Sequence, residues 1–176
     1  MQKSSSKNNI YTPAEDTFFL EDWLQHEKGQ SALDIGAGSG YLSKILSQNF
    51  PLVVSTDIDH TSLASHDAQN RICCNAADGL NFQFDLVVCN MPYLPSEKIT
   101  DRTVDGGAEG LEVPLGIIQS AKNCIKPGGR LLFLSSSLAN YTQLIQKTKD
   151  LGFECSIVAK KKLFYEELIL VQARRL

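Results

Sequence analysis

The run Asp34-Ile35-Gly36-Ala37-Gly38-Ser39-Gly40 stands between a short apolar stretch, residues 32–35, and a helix-patterned segment, residues 41–48. Glycines at alternate positions let a strand-to-helix turn bring its backbone close to a nucleotide-like ligand with no Cβ in the way. Turns of this kind belong to open α/β sheets, in which ligands lie beyond the carboxyl ends of parallel strands. The spacing is G-x-G-x-G. Tyr41 stands where a dinucleotide fingerprint has its last glycine, which argues against a nicotinamide or flavin cofactor. The phosphate-gripping pattern G-x-x-x-x-G-K-[ST] occurs nowhere in the chain.

The remaining sequence alternates in the same manner. Segments 32–35, 52–57, 71–74, 85–89 and 130–135 read as strands, with helices at 41–48, 61–69 and 114–125 between them. Pro127-Gly128-Gly129 reads as the turn into the fifth strand. Asn140 caps a last helix that runs to about Leu151 and ends at Gly152. Strands at 153–161 and 168–172 follow with a short connection, so they form an antiparallel pair at the sheet edge. Ahead of the first strand, Thr12-Pro13-Ala14-Glu15 reads as a helix start, with Thr12 as cap, Pro13 in the first turn and Glu15 completing a capping box. The implied architecture is α/β: a doubly wound, Rossmann-like, mainly parallel seven-stranded sheet with helices on both faces. Residues 1–9 are polar and read as a disordered tail, and 10–176 as a single domain.

The 176 residues, 43% of them apolar, suffice for a full core without a disulfide or metal staple. Net charge is −3, from seventeen basic and twenty acidic residues, so no basic field grips duplex nucleic acid unaided. No apolar run approaches the ~20 residues of a membrane helix. Nothing apolar follows the first lysine as a secretory signal requires, so a cytoplasmic protein is expected. Five cysteines without a C-x-x-C pair read as reduced, mostly buried thiols. His26, His60 and His66 lack ligand spacing, and no metal site is expected.

Asp57 closes the second strand, where a carboxylate can accept both hydroxyl protons of a ribose. Asp59 fits the duller role of capping the next helix. Asp78-Gly79 follows the third strand and reads as a contact to an adenine edge, or as a plain turn. The acid–glycine loop, Asp57 and Asp78-Gly79 stand in the order found in class I S-adenosylmethionine-dependent methyltransferases. The fourth strand ends in Cys89-Asn90-Met91-Pro92-Tyr93. This segment resembles the (D/N)-P-P-Y motif of methyltransferases acting on planar amino or amide nitrogens. Such a nitrogen is a poor nucleophile because its lone pair is delocalised. Asn90 Oδ1 and the residue 91 carbonyl can each accept one N–H, and Tyr93 can stack on the planar group. Met91 replaces the first proline; it supplies the carbonyl equally but without a fixed φ, so a looser loop is expected.

Tyr11-Thr12-Pro13-Ala14-Glu15-Asp16-Thr17-Phe18-Phe19-Leu20 closely resembles the opening Y-x-P-A-E-D-T-[FY]-L-L of the short HemK-like glutamine methyltransferases of archaea and eukaryotes. Asp105-Gly106-Gly107-Ala108-Glu109-Gly110-Leu111 resembles that family's G-G-x-x-G loop. The resemblance implies that Thr17, Asp34, Gly36, Asp57, Asp78, Gly79 and Asn90, with Gly38 in the same loop, line the S-adenosylmethionine site. It also implies catalysis at Asn90, Met91, Pro92 and Tyr93. The implied acceptor is the glutamine of the Gly-Gly-Gln tripeptide in a class I translation release factor. A small zinc-binding activator protein, pairing along a sheet edge, is the implied partner. Protein lysine or a nucleic-acid amine (adenine or guanine) is the alternative acceptor, and a non-catalytic scaffold the rival of another class.

Overall fold

The computed structural model describes residues 13–176. The tail expected for residues 1–9 and the Thr12 cap lie outside the described residues. In chain order the elements are α1 (Glu15–Leu24), β1 (Ser31–Ile35), α2 (Tyr41–Leu46), β2 (Leu52–Asp57), α3 (His60–Ala64), β3 (Asn70–Cys73) and β4 (Phe84–Cys89). A two-residue β5 (Leu94–Pro95) and a three-residue β6 (Asp105–Gly107) follow. Then come α4 (Glu112–Ala121), β7 (Ile125–Ser136), α5 (Tyr141–Asp150), β8 (Phe153–Lys162) and β9 (Glu167–Arg175). Seven strands form one sheet in the order β3-β2-β1-β4-β7-β9-β8. Its first five strands are parallel, and β9 runs antiparallel to both β7 and β8. The doubly wound sheet with an antiparallel C-terminal pair is therefore as expected. β9 lies inside β8, so β8 carries the edge.

The period of the strands sorts their side chains between two cores. Ala32, Leu86, Val88, Leu132 and Leu170 face α1 and α2, where they meet Leu20, Leu24, Leu42 and Leu46. Leu33, Val87, Leu131, Phe133 and Val171 face the other way, onto Ile118 of α4 and Leu144 of α5. β1 is buried along its whole length, which is why residues 31–35 show no polar alternation.

Three local expectations need correction. α1 begins at Glu15 with Ala14 as its N-cap residue, so Pro13 precedes the first helical turn, and Glu15 pairs with Lys161 across 2.8 Å. The helix expected over 61–69 stops at Ala64. Ser65 Oγ bonds back to the Ser62 carbonyl at 2.6 Å and His66 Nδ1 accepts the Ala68 N–H, so side chains compete for the backbone there. The Pro127-Gly128-Gly129 turn is a bulge within β7: Phe84 pairs with Ile125 and Leu86 with Arg130, leaving 126–129 looped out. The β5–β6 pair is too short to leave a period in the sequence. Asn140, by contrast, caps α5 as read, accepting the Gln143 N–H at 3.2 Å.

Glu27, 7% exposed, fastens the end of α1 to the sheet. It accepts Trp23 Nε1 at 3.0 Å and both terminal nitrogens of Arg130 on β7. Removing one partner of a buried pair costs roughly 3–5 kcal/mol, and the partial exposure of Arg130 reduces that. Glu27→Ala is expected to lower unfolding free energy by about 2–4 kcal/mol in urea titration; a loss below about 0.5 kcal/mol would place this pair among ordinary surface contacts.

Candidate active site

A cleft of ≈ 920 Å³ opens beyond the carboxyl ends of β1, β2 and β4. Sheet topology places it there. The connection after β1 leads to β2 on one side while β4 lies on the other, so the loops diverge and leave a crevice. Its floor is the acid–glycine turn. Gly36 and Ala37 donate their N–H groups to the Thr56 carbonyl, at 2.8 and 2.9 Å, which locks the turn onto the end of β2. Gly36 takes φ 70°, and a Cβ there would meet nothing within 4 Å. Backbone, not side chain, faces the open space.

Asp57 braces this turn from β2. Its Oδ2 accepts the Gly38 N–H and its Oδ1 the Asp59 N–H, each at 2.8 Å. Each carboxylate oxygen retains capacity for a further donor from the cleft. Asp59 caps α3, accepting the Thr61 N–H at 2.9 Å, as its position after the strand suggested.

Asp34, 1% exposed, lies under the turn and lines the cleft. Ser43 on α2 donates its hydroxyl to Asp34 Oδ2 at 2.6 Å and touches Ser55 Oγ at 2.7 Å. Burial pushes the Asp34 carboxyl up to about 6, against the Ser43 hydrogen bonds that favour its charge, and the nearby Asp57 adds to the rise.

Asn90 follows β4 into the cleft. Its Nδ2 donates to Asp16 Oδ2 at 3.2 Å and to Thr17 Oγ1 at 3.4 Å, both on α1. Its Oδ1 is shielded from solvent and has no partner among the described residues. Met91 is 2% exposed and packs in the core with Ile118 and Leu111. The looser loop expected from the missing proline is therefore not what the structure has, because the Met91 side chain anchors the segment from below. Pro92 and Tyr93 line the cleft beside it. Behind them the glycine loop packs backbone against backbone: a Cβ on Gly106 would lie 3.0 Å from the Pro92 carbonyl oxygen, and one on Gly110 only 2.2 Å from that of Tyr93.

Of the eleven residue positions singled out in the sequence, nine are around this cleft; Asp78 and Gly79 are not among its lining. Asp78 accepts Ser120 Oγ at 2.6 Å and Asn75 Nδ2 at 3.0 Å, and these bonds hold its carboxyl below the usual range. The wall at that position is Asn75 and Ala76 instead. The chain turns there immediately after β3, with Ala76 at φ 49°. Sequence reasoning also missed Asp16, read only as part of a helix opening, and the 99–105 loop at the cleft mouth. Asp105 gathers that loop by accepting the N–H groups of Thr100 and Asp101, each at 2.8 Å.

An acid–glycine turn, an acid at the end of β2 and an asparagine after β4, on this strand order, define the class I methyltransferase fold. The chain belongs to the methyltransferase small domain family, whose model matches residues 14–166. A Methanocaldococcus jannaschii protein with the provisional name protein N5-glutamine methyltransferase is 34% identical over 95% of this chain and 92% of its own. Methyltransferase HEMK2 of Mus musculus is 27% identical over 83% of this chain and 80% of its own. Among solved structures, the E. cuniculi Mtq2–Trm112 complex responsible for methylation of the eRF1 translation termination factor contains a chain with TM-score 0.83. That chain is 25% identical, and the match covers 94% of this chain and 98% of that one. The resemblance read from the opening motif is borne out.

Two outcomes follow for the isolated protein. The folded Asp34 binds its proton more tightly than the unfolded chain, at about 6 against 3.8. Its contribution therefore falls as pH rises between those values, by about 3 kcal/mol in total. Asp34→Asn should raise stability at pH 7 and remove this part of the slope in urea titrations from pH 4 to 7; an unchanged slope would assign it to other groups. Gly110→Ala, at φ 70° and against the Tyr93 carbonyl, should cost about 2–4 kcal/mol. Gly116→Ala, on α4 with open surroundings, should be neutral or stabilising by up to about 1 kcal/mol. Equal effects at the two glycines would refute the close-approach account.

Proposed function

We propose that this protein is a cytoplasmic S-adenosylmethionine-dependent protein-glutamine N-methyltransferase, acting on the Gly-Gly-Gln glutamine of a class I translation release factor. The observation that carries the reading is the unpartnered, buried Oδ1 of Asn90 at the end of β4, beside the acid–glycine turn. A buried acceptor without a donor is costly, and a bound N–H relieves that cost. The residues also fit the cofactor. Gly36 leaves open space at the turn, Asp57 keeps acceptor capacity on both oxygens, and Asp34 supplies negative charge below.

In this reading Gly36 and Gly38 admit the cofactor to the backbone, Asp57 takes its ribose hydroxyls, and Asp34 and Thr17 lie toward its methionine end. The adenine side falls to Asn75 and Ala76, with Asp78 holding Asn75 from behind. When bound, S-adenosylmethionine supplies an electrophilic methyl group on a sulfonium centre. Asn90 Oδ1 and the Met91 carbonyl accept the two N–H groups of the acceptor amide, which orients its nitrogen and favours pyramidalisation. Tyr93 stacks on the amide plane. No strong base is needed beforehand, because the nitrogen's proton becomes acidic only as the new bond forms.

A small zinc-binding activator fits the β3 edge. Among the described residues β3 pairs only with β2, and all four of its residues are exposed, Ile72 among them. Such an edge offers unpaired backbone groups to a strand of another chain. The net charge of −3 favours a protein acceptor over nucleic acid.

The test is transfer of a labelled methyl group from S-adenosylmethionine to the release factor, with and without the activator. Incorporation is expected, and should vanish when the Gly-Gly-Gln glutamine is replaced by alanine. No incorporation with activator present and cofactor bound would overturn the glutamine reading in favour of lysine or nucleic-acid acceptors.

A further inference from the structure

Both N–H donors of the Asn90 amide are taken by the first turn of α1, through Asp16 Oδ2 and Thr17 Oγ1. Asp16 is itself held in place, its Oδ1 accepting the Thr17 backbone N–H at 2.6 Å and the Thr17 hydroxyl at 3.3 Å. The direction of this network is set by chemistry. An ionised carboxylate has only acceptors, so Asn90 can face it only with its NH2 group. Turned over, the amide would set Oδ1 against Asp16 Oδ2 and leave two donors in the space where the acceptor nitrogen must come. In the observed orientation Oδ1 is the side-chain group of Asn90 without a protein partner among the described residues.

We infer that Asp16, with Thr17 as second acceptor, is a positioning residue that fixes the orientation of the Asn90 amide, so that the site presents an acceptor and selects substrates bearing N–H donors. This rests on the role given to Asn90 under the proposed function. It gives the acidic residue of the opening helix a task that capping alone does not explain, since Oδ1 serves the helix and Oδ2 reaches across to β4.

The test exchanges the two groups in the full chain, using Asp16→Asn, Asn90→Asp and the double variant. Asp16→Asn keeps an oxygen for the Thr17 N–H but turns a second NH2 group toward Asn90. It should lower kcat about 10–100-fold, with acceptor KM and cofactor affinity within about 3-fold of the parent. Asn90→Asp alone sets two carboxylates against each other and should lose a comparable factor. In the double variant the amide on α1 donates to the carboxylate on β4, and kcat should return to within about 10-fold of the parent. A double variant no better than either single one overturns the inference.

A second readout needs neither cofactor nor substrate. In the ¹⁵N side-chain spectrum of the cofactor-free protein, the Asn90 amide protons should exchange slowly in the parent and rapidly in Asp16→Asn. Equal exchange in the two proteins also overturns the inference. Should the parent fail to methylate release-factor glutamine, the proposed function falls, while this comparison still decides whether Asp16 orients Asn90.

Discussion

The carboxyl of Asp34 is carried almost wholly out of water, and the ligand-facing turn is assembled over it. One chain of side chains, Asp34 to Ser43 to Ser55, ties β1, α2 and β2 together beneath the glycines. The hydroxyl and backbone bonds from Ser43 do not replace bulk hydration for an ion, which is why the proton is held up to about 6. The fold thus keeps an electrostatic cost at the floor of its cleft, one that a cationic ligand would offset. Such a cost survives only because β1 is locked on both sides, by β2 and by β4, within a fully buried sheet centre.

The opposite wall depends on close approach. Asn90 leaves β4 with its amide held by α1, Met91 rooted in the core, and the Pro92–Tyr93 backbone resting on glycines 106 and 110. Three separate parts of the chain therefore determine where one amide oxygen stands. α1 belongs to this wall through Asp16 and Thr17, and Glu27 at its far end binds it to β7. A helix that looks like a mere leader to the domain is part of the cleft wall.

Much of this was legible in the sequence. Strand–helix alternation, the glycine spacing of 36–40 and the acids at the carboxyl ends of β1 and β2 each arise from local backbone needs, and local needs leave local patterns. The Asn90–Tyr93 segment was legible because its residue order is unusual and stands at the end of a buried strand. Met91 was misjudged because proline's constraint is visible in sequence, whereas anchoring by core packing is not. The helix over 61–69 was overestimated because Ser65 and His66 redirect backbone hydrogen bonds, an effect weaker than helical periodicity in a linear reading. Asp78 was placed at the ligand by analogy of order, and Ser120, forty-two residues away, turns it aside.

The sequence by itself determined the fold class, the switch-point turn and the residue types of the Asn90–Tyr93 segment, since each is encoded within a few consecutive positions. Only the tertiary structure decided which face of Asn90 is free, that Asn75 and not Asp78 meets the cleft, and that Asp16 reaches β4. Those depend on distances between residues up to seventy-four positions apart. Hydrogen-bond direction is fixed by which donors and acceptors packing brings together, and no linear pattern records that.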